Sequence, residues 1–395
     1  MAGDYNPTTI GFPESKGREG MNDETIRFLQ LEGTPFERGI QHGREIPEVL
    51  EVFWDDLLKD VSDRVDRPVP EDELRAWLRD RAELARSVEP DLMEEIRGIA
   101  EGGGVEEEVA VAIAFAEEVG QLAYSRGYHH EVVRGTRCLA VVVPPSHTST
   151  GGHLLAQTWD GPDWCPDPFL FAPKDPPGWS TYLADPGSVG GVGVNDRRIG
   201  SVHTGVLVRE NPVGNPYSFI ARRIMLADQA DAAAASVSEV PSTAGCHYIV
   251  VQDDDVIDVE AAGAAFETVP HEGLFSTCAH FSGTTTAALH AKPEHGVSRH
   301  RTSRLAELVA AEPEITPLGL MELLTDHEEG PDGASVCLHA SDRTGRSLGA
   351  IVIDVAGTTI WGRAGNPCER RSIREIRLSE QGPMERVLAE ASADG

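Results

Sequence analysis

An apolar strand that begins with a thiol, Cys138-Leu139-Ala140-Val141-Val142-Val143, is the most informative segment of this chain. A second apolar segment ends in Gln157-Thr158-Trp159-Asp160, and Gly151-Gly152 lies between the two. Apolar runs joined through a glycine turn predict a hairpin, which would bring Asp160 to the sheet edge where Cys138 lies. A thiol at such an edge is usable as a nucleophile when a base lies within hydrogen-bond reach.

Cleavage of the chain immediately before Cys138 would supply that base. The peptide bond between Arg137 and Cys138 would be the cleavage site. Its scission frees an α-amine, whose unperturbed pKa of about 7.7–8.0 suits proton transfer at neutral pH. One residue would then provide both the nucleophile and the base.

The composition indicates a soluble, globular and strongly acidic protein. Its 395 residues are 40% hydrophobic and 25% charged, and the formal net charge is −31. Such a chain lacks the basic surface that nucleic acids and anionic membranes require, so neither is expected as a partner. Because the acidic residues are spread along the sequence, we expect a salt-tolerant surface and a halophilic source.

Three features of the sequence predict a cytoplasmic location. No run reaches the roughly 18 consecutive apolar residues of a membrane span. Residues 1–20 lack the basic and apolar regions of a signal peptide and are expected to form a polar tail. The six cysteines form no C-x-x-C pair and no compact disulfide framework, as expected for reduced thiols.

Helices are predicted in the first third of the chain and mainly strands thereafter. Thr34-Pro35-Phe36-Glu37 is a capping box that begins the first helix. Further helices are predicted over 71–86, 90–101, 105–122, 217–238, 298–311 and 316–325. Strands are predicted over 138–144, 153–159, 181–185, 199–208, 246–253, 256–261, 334–339, 348–354 and 358–362. This order predicts one integrated α+β domain with layered packing.

Four parts of the sequence resemble one family of cysteine enzymes. They are Gly33-Thr34-Pro35-Phe36-Glu37-Arg38-Gly39-Ile40-Gln41-His42-Gly43, the helix over 90–102, the hairpin from Cys138 to Asp160, and Ala364-Gly365-Asn366-Pro367-Cys368. In order and content they are similar to the signatures of the acyl-coenzyme A:6-aminopenicillanate acyltransferases, peptidase family C45.

The resemblance implies an N-terminal-nucleophile (Ntn) hydrolase fold, an αββα sandwich of two antiparallel sheets with helices outside. It also implies an inactive precursor that cuts itself before the catalytic cysteine. On this basis residues 1–30 are assigned to the tail, 31–137 to a helical precursor segment and 138–395 to the catalytic segment.

Two residues would carry the chemistry. Cys138 would attack an amide or thioester carbonyl and form an acyl-enzyme, which is released to water or to an amine. Asp160 occupies the position of the family's aspartate and would orient the freed amine or hold its proton, the alternative being a strand-end Asp that caps backbone N–H groups. Trp159 and Trp164 flank it and could line an acyl pocket, although a sheet-core role is favoured for Trp159. Gln157 is expected to help align the turn.

The expected oxyanion donor is missing. The family has an Asn in the segment that corresponds to 276–281, whereas this chain has Ala279 at that position. Backbone N–H groups, Cys278 or His280 would have to replace the Asn, because negative charge develops on the substrate's carbonyl oxygen.

The cleavage site also departs from the family's pattern. Thr136-Arg137 stands where the family commonly has Gly before the cysteine, and Gly permits the strained backbone that an N-to-S acyl shift requires. Without cleavage, Cys138 would need another base, such as His203 or His280.

A few further residues are candidates for lining the site. His203 and Thr204 end a predicted strand in the region where related folds place such groups, and a strand histidine satisfied by backbone is an equal alternative. Arg343 or Arg346 could bind a substrate carboxylate, although an exposed loop arginine is the favoured alternative. The segment Cys278-Ala279-His280 has no second pair at ligand spacing, so no metal and no cofactor is predicted.

The sequence therefore predicts an autoproteolytic cysteine amidohydrolase or acyltransferase that acts on a small amide or acyl substrate. Coenzyme A thioesters could serve as acyl donors, and hydrolysis is slightly favoured over transfer because water is always present. The alternative is a non-catalytic relative that keeps the fold and acts as a small acyl-ligand binder or as a scaffold, consistent with Ala279. A papain-like protease is disfavoured because Cys138 lies on a strand.

Overall fold

The structure, a computed structural model, describes residues 25–63, 67–125, 138–176, 178–209, 211–291, 296–328, 335–340 and 345–388. Arg137, the residue before the predicted cleavage site, and Arg343 lie outside the described residues. So do residues 1–24, which make up most of the predicted tail.

The first third of the chain is helical, as predicted. Its helices are α1 (Pro35–Arg44), α2 (Pro47–Asp63), α3 (Glu71–Val88), α4 (Pro90–Gly103), α5 (Glu107–Ala114) and α6 (Ala116–Ser125). The predicted capping box is present, because Thr34 and Glu37 exchange side-chain and backbone hydrogen bonds. The helix predicted over 105–122 is interrupted at Phe115, which separates α5 from α6.

Glycines let α1 and α4 pack backbone to backbone. A Cβ on Gly39 would collide with the carbonyl oxygen of Glu95, and a Cβ on Gly98 would collide with that of Phe36. Any larger residue at these positions would force the two helices apart. The glycines shared by the first two motif segments therefore serve helix packing rather than chemistry.

The strands of the described residues form two sheets. They are β1 (Phe28–Leu31), β2 (Leu139–Val143), β3 (Leu154–Gly161), β4 (Phe169–Asp175), β5 (Gly178–Ala184), β6 (Val192–Asn195), β7 (Gly200–Val206), β8 (Gly245–Gln252), β9 (Asp255–Ala262), β10 (Ala265–Val269), β11 (Phe275–Thr277), β12 (Arg346–Asp354), β13 (Thr359–Ala364), β14 (Ile373–Ser379) and β15 (Gly382–Leu388). The first sheet has the order β1-β4-β5-β6-β7-β8-β9-β10, and the second has the order β11-β2-β3-β12-β13-β14-β15. The described pairs are antiparallel except for β1 with β4, which is parallel.

The remaining helices follow β7 in the sequence, and all but α9 pack on the outer faces of the two sheets. They are α7 (Tyr217–Leu226), α8 (Ala230–Val237), α9 (Thr284–Ala287), α10 (Val297–Ala311) and α11 (Pro317–Leu323). Helices α2 to α6 pack on the first sheet around Phe171, whose ring also contacts His42 of α1, and α7 and α8 pack on it around Tyr248. Helices α10 and α11 pack on the second sheet around Val141.

A single apolar layer fills the space between the sheets. It includes Val142 and Ile351 from the second sheet and Val202 and Ile249 from the first. The molecule is thus an α+β protein with four layers, αββα, and the predicted fold class is confirmed. None of the helices in the described residues is long and apolar enough to cross a membrane.

Two local predictions differ from the structure. Residues 335–340 form a loop instead of part of the strand predicted over 334–339, because the carbonyls of Ser335 and Val336 accept hydrogen bonds from a buried arginine, Arg301. The helix predicted over 217–238 ends at Leu226 and restarts at Ala230. The last residues assigned to the tail already form β1, which pairs with β4.

Candidate active site

Cys138 lies at the edge of the inter-sheet layer, one residue before β2. Along β2, Ala140 and Val142 point between the sheets, whereas Leu139 and Val141 point towards α10 and α11. Cys138 has the same phase as Ala140, and it is partly buried against the inter-sheet layer. The thiol is therefore not sealed inside the core.

Asp160, at the end of β3, is held by three side chains. Its Oδ2 accepts hydrogen bonds from Arg301 Nη2 at 2.7 Å and from Thr158 Oγ1 at 3.1 Å, and its Oδ1 accepts one from Ser347 Oγ at 2.7 Å. Burial raises the pKa of Asp160, while the Arg301 charge and the hydroxyls of Ser347 and Thr158 act against that rise. All of these contacts favour one fixed orientation of the carboxylate.

Thr158 connects this carboxylate to the backbone next to the thiol. The N–H of Leu139 donates to Thr158 Oγ1 at 3.3 Å, and that hydroxyl donates in turn to Asp160. The predicted hairpin is confirmed, with Leu139 opposite Thr158 in the register of β2 and β3. A single hydroxyl group, that of Thr158, thus links the Asp160 carboxylate to the N–H of the peptide bond between Cys138 and Leu139.

Arg301 is a site residue that the sequence analysis missed. It lies on α10 and is fully buried, and its guanidinium also donates to the carbonyls of Ser335 at 2.8 Å and Val336 at 2.9 Å. Burial opposes its charge, but the charges of Asp160, Cys278 and Cys138 raise the pKa of Arg301 above its ordinary value. A buried positive charge therefore lies near Cys138.

The sequence contained a signal for Arg301. The buried residues of α10 include Val297, Arg301, Leu305 and Val309, which recur every four residues along one apolar stripe. A charged residue on such a stripe is almost never buried unless it is paired.

Trp159 forms part of the wall between the sheets. Its indole N–H donates to Asp185 Oδ1 at 2.7 Å, and its ring centroid lies 6.4 Å from that of Tyr217. Burial raises the pKa of Asp185 to about 6, although the Trp159 hydrogen bond acts against the rise. The charge of Cys138 is among the causes that raise the pKa of Tyr217, after burial, so the tyrosine lies within electrostatic reach of the thiol.

Thr204 and Cys278 connect the two sheets beside the thiol. The Thr204 hydroxyl, on β7, lies 3.3 Å from both Thr277 Oγ1 and the carbonyl oxygen of Cys278. Thr277 pairs with Ala140 in the register of β11 and β2, which puts the buried Cys278 next to the start of β2. Arg301 Nη1 lies 3.7 Å from Cys278 Sγ.

The two candidate histidines are engaged elsewhere. His203 lies on the opposite face of β7 from Thr204, with Nε2 2.7 Å from Ser201 Oγ and Nδ1 3.2 Å from the hydroxyl of Tyr217. Burial lowers the pKa of His203 to about 3, so its ring is neutral. His280 Nδ1 lies 2.6 Å from Ser298 Oγ at the start of α10.

Gln157 bridges the two sheets through the oxygen of its side-chain amide, whereas the amide nitrogen makes no hydrogen bond among the described residues. Its Oε1 accepts the backbone N–H of His203 at 2.8 Å, while its Nε2 is buried with no hydrogen-bond partner among the described residues. Gln157 pairs with Ala140, which has the same phase along β2 as Cys138. Arg346, a candidate carboxylate binder, is paired with Asp163 at 3.2 Å and Asp167 at 2.8 Å.

Comparison with known proteins gives only distant similarities. No family model and no curated protein matches the sequence. Among solved structures, the C2A mutant of a conjugated bile acid hydrolase from Clostridium perfringens aligns with 64% of this chain and 97% of its own, at 10% identity and a TM-score of 0.42. The R18L variant of that hydrolase aligns with 65% of this chain and 90% of its own, at 10% identity and a TM-score of 0.32. The family suggested by the motifs stays a prediction.

Proposed function

We propose that this protein is a cysteine amidohydrolase of the Ntn type, in which Cys138 is the nucleophile. The observation that carries the proposal is the chain of hydrogen bonds from Arg301 through Asp160 and Thr158 to the backbone N–H that follows Cys138. A buried, fully paired carboxylate and guanidinium beside a partly exposed thiol are what an activated cysteine requires.

Processing would begin at the peptide bond between Arg137 and Cys138. Cys138 Sγ attacks the carbonyl carbon of Arg137, and the C–N bond breaks as a thioester forms. In that step the thiol proton passes to the nitrogen, so the α-amine of Cys138 becomes free. Water then hydrolyses the thioester, which leaves a carboxylate on Arg137 and frees the thiol of Cys138. The product is a two-chain protein whose second chain begins with the nucleophile.

In each turnover the α-amine of Cys138 takes the thiol proton, and the thiolate attacks the carbonyl carbon of the substrate. The proton passes to the leaving amine, and an acyl-thioester remains on Cys138. Water attacks that thioester with the α-amine as base, releasing a carboxylic acid and the free thiol. An amine acceptor in place of water would give acyl transfer, and a coenzyme A thioester could replace the amide donor.

Arg301 and Asp160 would have different tasks in this cycle. The attraction between Arg301 and the Cys138 thiolate, which raises the pKa of Arg301, also stabilises the thiolate. Asp160 would orient the freed α-amine, through Thr158 or directly, and would keep Arg301 in place. Both act by fixed electrostatics rather than by exchanging protons with the substrate.

Gln157 is our candidate for the oxyanion donor that Ala279 does not supply. Its buried Nε2 has no partner among the described residues and lies on the inter-sheet side of the hairpin. A buried donor without a partner costs free energy unless a ligand satisfies it. The substrate's carbonyl oxygen would be that ligand, together with backbone N–H groups near Cys278.

Intact-mass spectrometry tests the proposal directly. The wild-type protein should give two fragments separated between Arg137 and Cys138, and the Cys138→Ala variant should remain a single chain without amidase activity. Cys165→Ala is the matched control, because Cys165 is also a partly buried cysteine packed against the inter-sheet layer.

A second measurement separates catalysis from the alternative function, that of a non-catalytic acyl-ligand binder. An acylating electrophile should label Cys138 selectively in the processed protein, and a panel of N-acyl amides should be hydrolysed. A single full-length chain that binds acyl compounds without turnover would instead support the binder, and retained activity in Cys138→Ala would contradict the assignment of Cys138 as the nucleophile.

A further inference from the structure

A second group of reactive side chains lies outside the candidate active site. His327, Cys337, His339 and Cys368 bring one ligand atom each to a single point, with all four atoms within 4.8 Å of one another. They come from three parts of the chain: the segment after α11, the loop over 335–340, and the short turn that follows β13.

The distances within this cluster match a tetrahedral metal site. His327 Nε2 lies 3.0 Å from His339 Nε2, and His339 Nε2 lies 3.2 Å from Cys368 Sγ and 3.9 Å from Cys337 Sγ. Zinc bonds of about 2.0–2.1 Å to nitrogen and 2.3 Å to sulfur give tetrahedral edges of roughly 3.3–3.8 Å. A central ion would therefore be accommodated with only small movements of the side chains.

We propose that His327, Cys337, His339 and Cys368 bind one Zn²⁺ ion in a closed tetrahedral site that fixes the loop over 335–340. Two thiolates and two imidazoles select zinc over the oxygen-seeking cations Mg²⁺ and Ca²⁺. Four protein ligands leave no open position, so the ion has a structural role. Each thiol loses its proton on binding, so the two thiol protons pass to the buffer.

The surrounding contacts already hold the ligands in this arrangement. The N–H of Cys337 donates to the carbonyl of Asp326 at 3.0 Å, which joins the loop to the segment that carries His327. The amide of Asn366, two residues before Cys368, donates to the carbonyl of Leu338 and approaches Cys337 Sγ at 3.7 Å. Supporting hydrogen bonds of this kind orient metal ligands in proteins.

The loop fixed by the ion also holds the candidate active site. Ser335 and Val336, immediately before Cys337, accept hydrogen bonds from Arg301. The carbonyl of Leu338, immediately after Cys337, accepts a hydrogen bond from the backbone N–H of Ser347, and the N–H of Leu338 donates to Ser347 Oγ. That Ser347 hydroxyl in turn donates to Asp160. The proposal of a zinc site rests on the positions of its four ligands and does not depend on the reaction that the protein catalyses.

Metal analysis of the full-length protein, purified without a histidine tag, tests the proposal. The wild type should retain about one zinc per chain after gel filtration, and the metal-depleted protein should take up ZnCl₂ again to the same ratio. His327→Gln should weaken zinc binding by more than the 10- to 100-fold typical of losing a supporting residue. His327 is exposed, so this change leaves the fold intact.

Cys368→Ser should weaken zinc binding in the same way, and Cys165→Ser should retain it, since Cys165 lies elsewhere in the fold. Cobalt added to the metal-depleted wild type should give the visible bands and thiolate charge-transfer absorption of a tetrahedral sulfur-ligated ion. An octahedral cobalt spectrum, or zinc binding equal in wild type and His327→Gln, would overturn the proposal. So would a disulfide between Cys337 and Cys368, revealed by four rather than six titratable thiols in the denatured, unreduced chain.

Discussion

Arg301 Nη2 lies 2.7 Å from Asp160 Oδ2, and both side chains are completely buried. The pair joins α10, on the outer face of the second sheet, to the end of β3 beside the candidate nucleophile. Desolvating two charges is costly, so such a pair persists where its partners satisfy both ions. Here Ser347 and Thr158 satisfy the carboxylate, and the carbonyls of Ser335 and Val336 satisfy the guanidinium.

Removing one charge of this pair should destabilise the fold. Asp160→Asn leaves Arg301 buried without a counter-ion, and we expect a loss of about 3–5 kcal/mol in the free energy of unfolding. Urea denaturation of Asp160→Asn, Arg301→Gln and the double variant gives the coupling between the two residues. The double variant should lose clearly less than the sum of the single losses, and strict additivity would contradict a direct interaction.

Substitution of Gln157 should impair turnover more than substrate binding. Gln157→Leu removes the buried Nε2 donor, and loss of one oxyanion donor lowers kcat by about 10²–10³. Because the interaction would form only in the transition state, KM should stay nearly constant. The variant also orphans the N–H of His203, which costs about 1–3 kcal/mol of stability. An unchanged kcat in folded Gln157→Leu would remove Gln157 from the catalytic site.

Two buried histidines should make the fold sensitive to acid. Burial, aided by Arg222 in the case of His42, lowers the pKa values of His42 and His203 to about 3, against 6.5 for an unperturbed ring. Below about pH 6.5 both histidines bind a proton in the unfolded chain but stay neutral in the folded chain. The free energy of unfolding therefore falls as the pH drops from about 6.5 to 3. Each histidine contributes about 1.4 kcal/mol per pH unit in that window.

The variant His42→Gln isolates one of these contributions. His42 Nε2 accepts the N–H of Gly187 at 2.9 Å, and a glutamine carbonyl can replace that acceptor without titrating. Unfolding free energies measured between pH 6 and 4 should show a slope smaller by about 1.4 kcal/mol per pH unit in the variant. Equal slopes in both proteins would mean that His42 is protonated in the folded state.

Salt should stabilise the protein. The formal net charge of −31 gives strong self-repulsion in the folded state, and raising KCl from about 0.1 M to 1 M shortens the screening length from about 10 Å to 3 Å. We expect the melting temperature to rise over this range. Sucrose at equal osmolality leaves the repulsion in place and separates screening from solute exclusion. A melting temperature that falls with KCl would contradict the halophilic interpretation.

Much of the fold could be predicted from local patterns, because strand alternation and helix caps depend on residues that are close together in the sequence. The hairpin that joins Cys138 to Asp160 was predicted from two apolar runs and a glycine turn, and β2 and β3 confirm it. The same alternation explains why His203 points away from the inter-sheet layer. Val202 points between the sheets, so the next residue along β7 must face α7.

What the sequence did not indicate depends on contacts between distant segments. Arg301 meets Asp160 across 141 residues of chain, and Cys368 meets His339 across 29. No spacing rule connects such residues. Each cysteine and histidine of the proposed zinc site, taken alone, therefore indicates only an ordinary core or surface position. The loop over 335–340 has the apolar composition of a strand, but the carbonyls of Ser335 and Val336 accept hydrogen bonds from a buried arginine instead of from a strand backbone.

Strand β1 bears on whether the two chains would stay together after cleavage of the backbone before Cys138. This strand belongs to the segment that precedes Cys138, yet it is hydrogen-bonded along β4, and α2 to α6 share a core with Phe169 and Phe171 of that strand. The two polypeptides made by scission would therefore stay interlocked as a single heterodimer. They would co-migrate in native electrophoresis and separate only in denaturant.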